Sequence, residues 1–315
     1  MRLHLKDISV IENLEPRRLL ADISLVNGTL RIVGTAGDDR IDLALFGRSQ
    51  FQVLENGVVA QTYDRADARA VSFAGLAGDD VLIVGRVPVR TFANGGSGKD
   101  ALSAAQMSMS DTLIGGDGDD YLFGGDGPDT LDGGLGYDGL LGDGGNDFIT
   151  FVSDDMGDDT VSGGGGRDTA SAIQYQVDTI FRIGDRTPAV LTISDFIFED
   201  VERFIGSNFD DNINTVAGRP VQIEMLDGDD IFTGGRGNDT IVGGPGRDEI
   251  APAGGDDLVI DIGGDASADI LAGGTGTNDI AVADAGDSVL VSVENRRSNV
   301  TGILFNADGT ITLAA

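Results

Sequence analysis

Five aspartates, Asp111, Asp120, Asp129, Asp138 and Asp147, recur at every ninth position of this chain. Each is the sixth residue of a unit in the unbroken run QMSMSDTLI, GGDGDDYLF, GGDGPDTLD, GGLGYDGLL, GDGGNDFIT from Gln106 to Thr150. Glycines fill most of the first, second and fourth positions. Asp contributes a charged oxygen, and a Gly-rich run curls tightly because glycine accepts positive φ at little steric cost. Such a curl aims several backbone carbonyls at one point. Carboxylate and carbonyl oxygens at fixed spacing make a cage for a hard cation, Ca²⁺. One loop cannot supply roughly six to eight ligands. The site must therefore fall between stacked loops, so that binding and stacking are one event. A cation-free stack of Gly-Asp turns is the competing reading. It would gather rows of like charges in partly dry sites, which is costly.

The eighth residue of each unit is a large aliphatic: Leu113, Leu122, Leu131, Leu140, Ile149. A fixed period of this kind predicts a solenoid in which each unit is one short piece. Three residues, x-U-x with U apolar, suffice for a strand whose central side chain points inward. Phe232, Ile241 and Ile250 continue the inner stack in a second block.

GGDGDDYLF (115–123), GGDGPDTLD (124–132), GGRGNDTIV (234–242) and GGPGRDEIA (243–251) fill every fixed position of GGxGxDxUx. In this the chain resembles the RTX (repeats-in-toxin) family. The resemblance implies an all-β fold, a right-handed parallel β-roll with two nonapeptides per turn and Ca²⁺ in the loops on both sides. The residues expected to hold the ions begin with the sixth-position aspartates Asp39, Asp80, Asp100, Asp111, Asp120, Asp129, Asp138, Asp147, Asp159, Asp168, Asp211, Asp230, Asp239, Asp248, Asp257 and Asp269. Third-position Asp117 and Asp126 join them, with first-position Gly115, Gly124, Gly133, Gly234 and Gly243.

The chain divides by pattern. Residues 1–22 contain Leu14-Glu15-Pro16-Arg17-Arg18-Leu19-Leu20, which resembles the LEPR-XLL sorting segment of large repetitive bacterial surface proteins. Residues 23–105 read as a degenerate solenoid with wider rungs and fewer metals. It has hairpin signals at Asn27-Gly28 and Asn56-Gly57. Repeat block one spans 106–171, with a slip after Thr150. A β connector covers 172–205, with a polar turn at Gly184–Pro188. Block two spans 206–290; Phe209 stands in the place of a fourth glycine there, and Asn278 takes the Asp place in GGTGTNDIA (273–281). Residues 291–315 form a terminal hairpin around Asn306–Gly309 that caps the solenoid.

The 315 residues carry a formal net charge of −32, with 45 Asp against 8 Glu and no Cys. That bias suits loops, since Asp favours turns and Glu helices. It argues against nucleic acid and anionic membrane surfaces as partners. No apolar stretch approaches ~18 residues, so no transmembrane segment is expected. The N-terminus lacks the apolar core of a secretory signal peptide. One histidine, His4, all but removes Ser-His catalysis and rules out an HExxH metalloprotease. GGSGKD (95–100) departs from a phosphate loop at both ends.

The expectation is a non-enzymatic, calcium-folded extracellular structural or adhesive protein of a bacterial surface or secretome, exported non-classically. A surface glycan or another cell-surface protein is left open as its partner. Two other readings stand beside it. One is a polysaccharide-active enzyme centred on Tyr175, Arg182, Arg186 and Arg203. The other is a secretion-assisting module, which suits the repeats better than it suits a 315-residue chain starting at Met1.

Overall fold

The computed structural model describes residues 21–104, 109–152, 159–172, 179–183, 196–199, 201–215, 218–261, 268–276, 278–283, 288–289, 295–297, 302–305 and 311–314. The sorting-like segment, His4, Tyr175 and Arg186 lie outside them, as do the polar turn at 184–188 and the hairpin turn at 306–309. Among the described residues every regular element is a strand, and there is no helix.

The strands stack into two long sheets, of 14 and 15 strands, with a separate two-stranded hairpin, Gly302–Phe305 with Ile311–Ala314. Successive strands alternate between the sheets, so each winding of the chain adds one parallel rung to both. Thr112–Asp117 pairs with Thr130–Leu135, setting Leu113 beside Leu131. Tyr121–Asp126 pairs with Gly139–Gly145 in the other sheet, setting Leu122 beside Leu140. One turn is thus two nonapeptides: Asp111 and Asp129 are 18 residues apart. This is the parallel β-solenoid that the period predicts.

The eighth-position side chains meet between the sheets. Leu113, Leu122, Leu131, Leu140, Ile149, Phe232, Ile241 and Ile250 are each no more than 2% exposed. The stack continues without a break through the degenerate N-terminal segment (Ile32, Ile41, Val71, Leu82, Leu102) and across the connector (Phe204, Ile213, Ile223). The Phe151 and Phe204 rings stack at 6.4 Å where block one meets the connector.

Several features extend or correct the sequence reading. Strands in block one run to six or seven residues because rung pairing continues through the glycines, as in Gly116 with Gly134. Block two keeps three-residue strands such as Thr240–Val242. The N-terminal end of both sheets is closed by antiparallel strands. Asp22–Val26 folds back on Thr29–Val33, with Asn27 and Gly28 both at positive φ. Arg40–Phe46, Gln50–Glu55 and Val58–Asp64 form a meander that turns at Asn56-Gly57. Antiparallel strands end a parallel stack without offering the last rung as a template. In the connector, Thr179–Ile183 and Phe196–Glu199 enter the 15-stranded sheet out of chain order: the later strand lies beside Thr160–Gly166 and the earlier beside Asp211–Thr215.

Candidate metal centres

Side chains alternate along a strand, so the sixth residue of a unit faces the same way as the eighth. That geometry buries the aspartates. Asp80, Asp120, Asp168 and Asp230 are fully buried, and Asp39, Asp100, Asp111, Asp129, Asp138, Asp147, Asp159, Asp211, Asp239, Asp248, Asp257 and Asp269 are at most 4% exposed. Gly-Asp turns form two continuous rows, one along each side of the solenoid.

One carboxylate oxygen is committed to the rung before it. The Asp111 N–H donates to Asp129 Oδ1 (2.7 Å), and the Asp129 N–H donates to Asp147 Oδ1 (2.8 Å). On the other side Asp39 N–H donates to Asp80 Oδ1, and the row continues through Asp100, Asp120, Asp138 and Asp159. Block two repeats the arrangement through Asp211, Asp230, Asp248 and Asp269, and through Asp239, Asp257 and Asp279.

The second oxygen is the chemically informative one. Oδ2 of Asp80, Asp100, Asp120, Asp129, Asp147, Asp230 and Asp257 is buried with no hydrogen-bond donor. A buried, undonated carboxylate oxygen is expensive unless something positive meets it. Beside Asp80, Asp100, Asp120, Asp129 and Asp147 the first-position residue is a glycine whose backbone packs directly against that oxygen; Met225 and Pro252 stand at that place before Asp230 and Asp257. A Cβ on Gly124 would sit 2.6 Å from Asp129 Oδ2 and 2.9 Å from the Gly142 carbonyl oxygen of the next rung. A Cβ on Gly115, Gly133, Gly142 or Gly243 would come closer still to Oδ2 of Asp120, Asp138, Asp147 or Asp248. At Gly75, Gly115, Gly124 and Gly142 it would meet both a carboxylate oxygen and a carbonyl oxygen of the next rung. Calcium takes oxygen ligands at about 2.3–2.6 Å. All-oxygen donors, with buried carboxylates close beside carbonyls of the next rung, fit that ion. Gly234 differs: its open side faces the Pro252 backbone.

Without a cation the site resists ionisation. Burial pushes Asp120 and Asp230 up to about 8, against the donated backbone N–H that pulls them down. It holds Asp80, Asp129 and Asp257 at about 7 and Asp111 and Asp239 at about 6. Neighbouring carboxylates in the row add to the rise, Asp138 and Asp100 on Asp120 among them. Asp100 and Asp147 are raised for the same leading reason, burial.

Not every expected residue joins the rows. Asp117 and Asp126, at third positions, are exposed. Asp39 and Asp211 are buried in the rows, but their Oδ2 atoms accept the amide N–H of Thr35 (2.6 Å) and Ser207 (2.8 Å). The assignment of Asn278 to the Asp place is corrected: Asp279 Oδ1 accepts the Asp257 N–H at 2.9 Å, and Ala281 fills the inner position beside Val259. The loop before it is one residue longer than a nonapeptide loop, which moves every later residue by one place. Arg203, proposed for a catalytic cleft, pairs with Glu224.

Sequence reasoning missed three features. Glu202 carries the row across the connector, its Oε2 accepting the Asp168 N–H at 2.9 Å. Asp261 brings a third buried carboxylate to Asp248 and Asp269, with one oxygen of each within 4.8 Å of the others. The fifth position forms an outer ladder of opposite polarity: Lys99 N–H donates back to Asp79 Oδ1, Asp229 N–H to Asp210 Oδ1, and Arg247 N–H to Asp229 Oδ1. Adjacent fifth and sixth residues thus staple neighbouring rungs in both directions. The signal was the frequent Asp or Asn at the fifth place, as in Asp79, Asp119, Asn146 and Asn238.

Fold and donor rows together define a cation-binding parallel β-solenoid. The comparison with protein families agrees: the RTX calcium-binding nonapeptide repeat, a model of four copies, matches residues 108–140 and 226–259. Residues 108–140 and 226–259 are therefore RTX calcium-binding repeats on a β-roll. No curated protein matches the chain.

Proposed function

We propose that this protein is a calcium-folded structural or adhesive module that works outside the cell. The observation that carries the reading is the pair of buried rows in which Oδ2 of Asp80, Asp100, Asp120, Asp129, Asp147, Asp230 and Asp257 lacks a donor, with a carbonyl of the next rung close beside it at Gly75, Gly115, Gly124 and Gly142. The residues that would hold the ions are Asp80, Asp100, Asp111, Asp120, Asp129 and Asp147 in the N-terminal rows and block one, and Asp230, Asp239, Asp248 and Asp257 in block two. The first-position carbonyls complete each set. A bound Ca²⁺ supplies the positive charge that the −32 chain lacks in its interior. The aspartates, for their part, tie each rung to the last through Oδ1 and present Oδ2 to the gap. Extracellular modules of this kind bind at ~10⁻⁴–10⁻³ M, far above cytosolic Ca²⁺, so folding belongs outside the cell.

Circular dichroism in millimolar Ca²⁺ and in excess chelator at pH 7.5 tests the first half. The β signal should rise strongly on adding Ca²⁺, above what the N-terminal strands give in chelator; identical spectra would remove the proposal. Deleting residues 1–22 or 291–315 in the native host and assaying medium and surface fractions tests export. Unchanged cytoplasmic retention of the full-length chain would remove the extracellular assignment.

A further inference from the structure

Two of the aspartates in the rows differ from the rest, and the second residue of their loops is the cause. In most loops that residue has positive φ: Gly96 at 112°, Gly116 at 122°, Gly134 at 95° and Gly244 at 127°. Non-glycine residues at the same place are also driven there, Leu76 to 83°, Asp143 to 75°, Leu226 to 75° and Ala253 to 69°. These four accept a conformation that costs a side-chain-bearing residue energy. The downstream carboxylates of Leu76, Asp143 and Leu226 loops, Asp80, Asp147 and Asp230, keep Oδ2 free of donors.

Thr35 and Ser207 occupy the second place of their loops and are not at positive φ. Their amides turn toward the carboxylate instead. Asp39 Oδ2 accepts the Thr35 N–H at 2.6 Å and the Thr35 hydroxyl at 3.0 Å. Asp211 Oδ2 accepts the Ser207 N–H at 2.8 Å, and Asp211 Oδ1 accepts the Ser207 hydroxyl at 2.9 Å. The surrounding cradle is otherwise retained. A Cβ on Gly34 would lie 2.9 Å from Asp39 Oδ2 and 2.7 Å from the Gly75 carbonyl; on Gly206 it would lie 2.5 Å from Asp211 Oδ2 and 2.8 Å from the Met225 carbonyl. The cage is thus built but its carboxylate is spent.

We infer that Thr35 and Ser207 are occupancy-determining residues: their amide and hydroxyl stand in for the cation, so the Asp39 and Asp211 rungs close without Ca²⁺. This rests on the calcium reading above. Donor hydrogens aimed at the oxygen present positive charge where the ion would bring its own, and a carboxylate holding two of them has little to offer a metal. The two locked loops stand at strategic places. Asp39 is the first sixth-position aspartate of the chain, and Asp211 is the first of block two. Asp39 gives the N-terminal segment, and Asp211 gives block two, a rung that is formed before any ion arrives.

The test is Ca²⁺ stoichiometry of the full chain by equilibrium dialysis, for wild type, Thr35→Gly, Ser207→Gly and the reciprocal Leu76→Thr. Each glycine variant should bind one more Ca²⁺ per chain, and its melting temperature should fall in chelator yet recover in millimolar Ca²⁺. Leu76→Thr should bind one fewer. If wild type binds Ca²⁺ and the glycine variants bind the same number, the inference is overturned while the calcium reading stands. A wild type that binds none overturns both. Should a glycine variant not fold, Ser207→Ala, which keeps the amide and removes the hydroxyl, must lower the melting temperature in chelator more than in Ca²⁺; equal losses in both count against the lock.

Discussion

At Asp129 the two oxygens have separable duties, and one isosteric change divides them. Asp129→Asn keeps an Oδ1 acceptor for the Asp111 N–H but removes the charge that Oδ2 presents to the Gly142 carbonyl side. In Ca²⁺ the variant should bind fewer ions and melt lower than wild type. In chelator it should melt no lower, because a buried charge has been taken away. A lower melting temperature in both conditions would show that the carboxylate is structural alone. The same charges predict a pH dependence whose sign is unusual for acids. Asp120 and Asp230 keep their protons to about 8, against 3.8 for the ordinary group. The cation-free fold therefore holds more protons than the unfolded chain, so its stability is greatest below about pH 4 and is lost as pH rises toward 8. In chelator the melting temperature should be higher at pH 5.5 than at pH 8, and apparent Ca²⁺ affinity should rise over that same interval, since the ion needs the ionised form. A chelated protein that gains stability on going to pH 8 would contradict the burial of these groups. The rows themselves were legible, because a buried Asp every nine residues leaves a periodic mark. The locks at Thr35 and Ser207 were not, since Asp39 and Asp211 carry the same letter as their open counterparts and differ through a backbone angle four residues upstream.

Strands in this molecule are short, and each is held by the rungs above and below it. Leu131 pairs in register between Leu113 and Ile149 and is fully buried. Leu131→Ala should cost about 2–5 kcal/mol in the Ca²⁺-bound form, the range for well-packed core aliphatics. Denaturant unfolding that matches wild type would mean that the rung register is wrong. The hairpins at Asn27-Gly28 and Asn56-Gly57 could be read from the sequence because both turn residues take positive φ there, which that dipeptide tolerates best. Strand length could not. Six-residue strands such as Thr112–Asp117 arise when stacked Gly-Gly pairs, here Gly116 on Gly134, approach closely enough to continue the ladder, a property of the neighbouring rung as much as of the strand's own residues. The displaced register at Asp279 has the same origin: a longer loop is invisible to a nine-residue template, whereas the inner stack forces Ala281 onto Val259.

Along the whole solenoid the core is continuous, but what holds it changes from end to end. Residues 22–89 rest on large apolar side chains, Leu30, Ile32, Ile41, Leu43, Phe51, Val53, Val71, Phe73, Val84, Val87 and Val89, together with three antiparallel strand pairings. Their first sixth-position aspartate, Asp39, is already satisfied. Rungs in 109–152 and 225–261 mostly have one inner aliphatic or aromatic residue per strand (Phe148–Val152 and Leu258–Asp261 have two), many glycines and a buried carboxylate in every unit. In a stacked array stability is nearly a sum of rung and neighbour terms, so unequal rungs need not unfold together. Chelation should accordingly split the molecule. Hydrogen exchange in excess chelator at pH 7.5 should lose protection throughout 109–152 and 225–261 and keep it in strands Thr29–Val33, Arg40–Phe46 and Ala70–Ala77. Adding Ca²⁺ should restore protection in the blocks, spreading outward from the strands that stayed folded, because a preformed rung spares the next one the cost of nucleation. Uniform loss across all three regions would mean that the N-terminal strands depend on the same ions. Retained protection in both blocks would mean that the buried rows are held by protons or by packing, and that calcium is not what folds them.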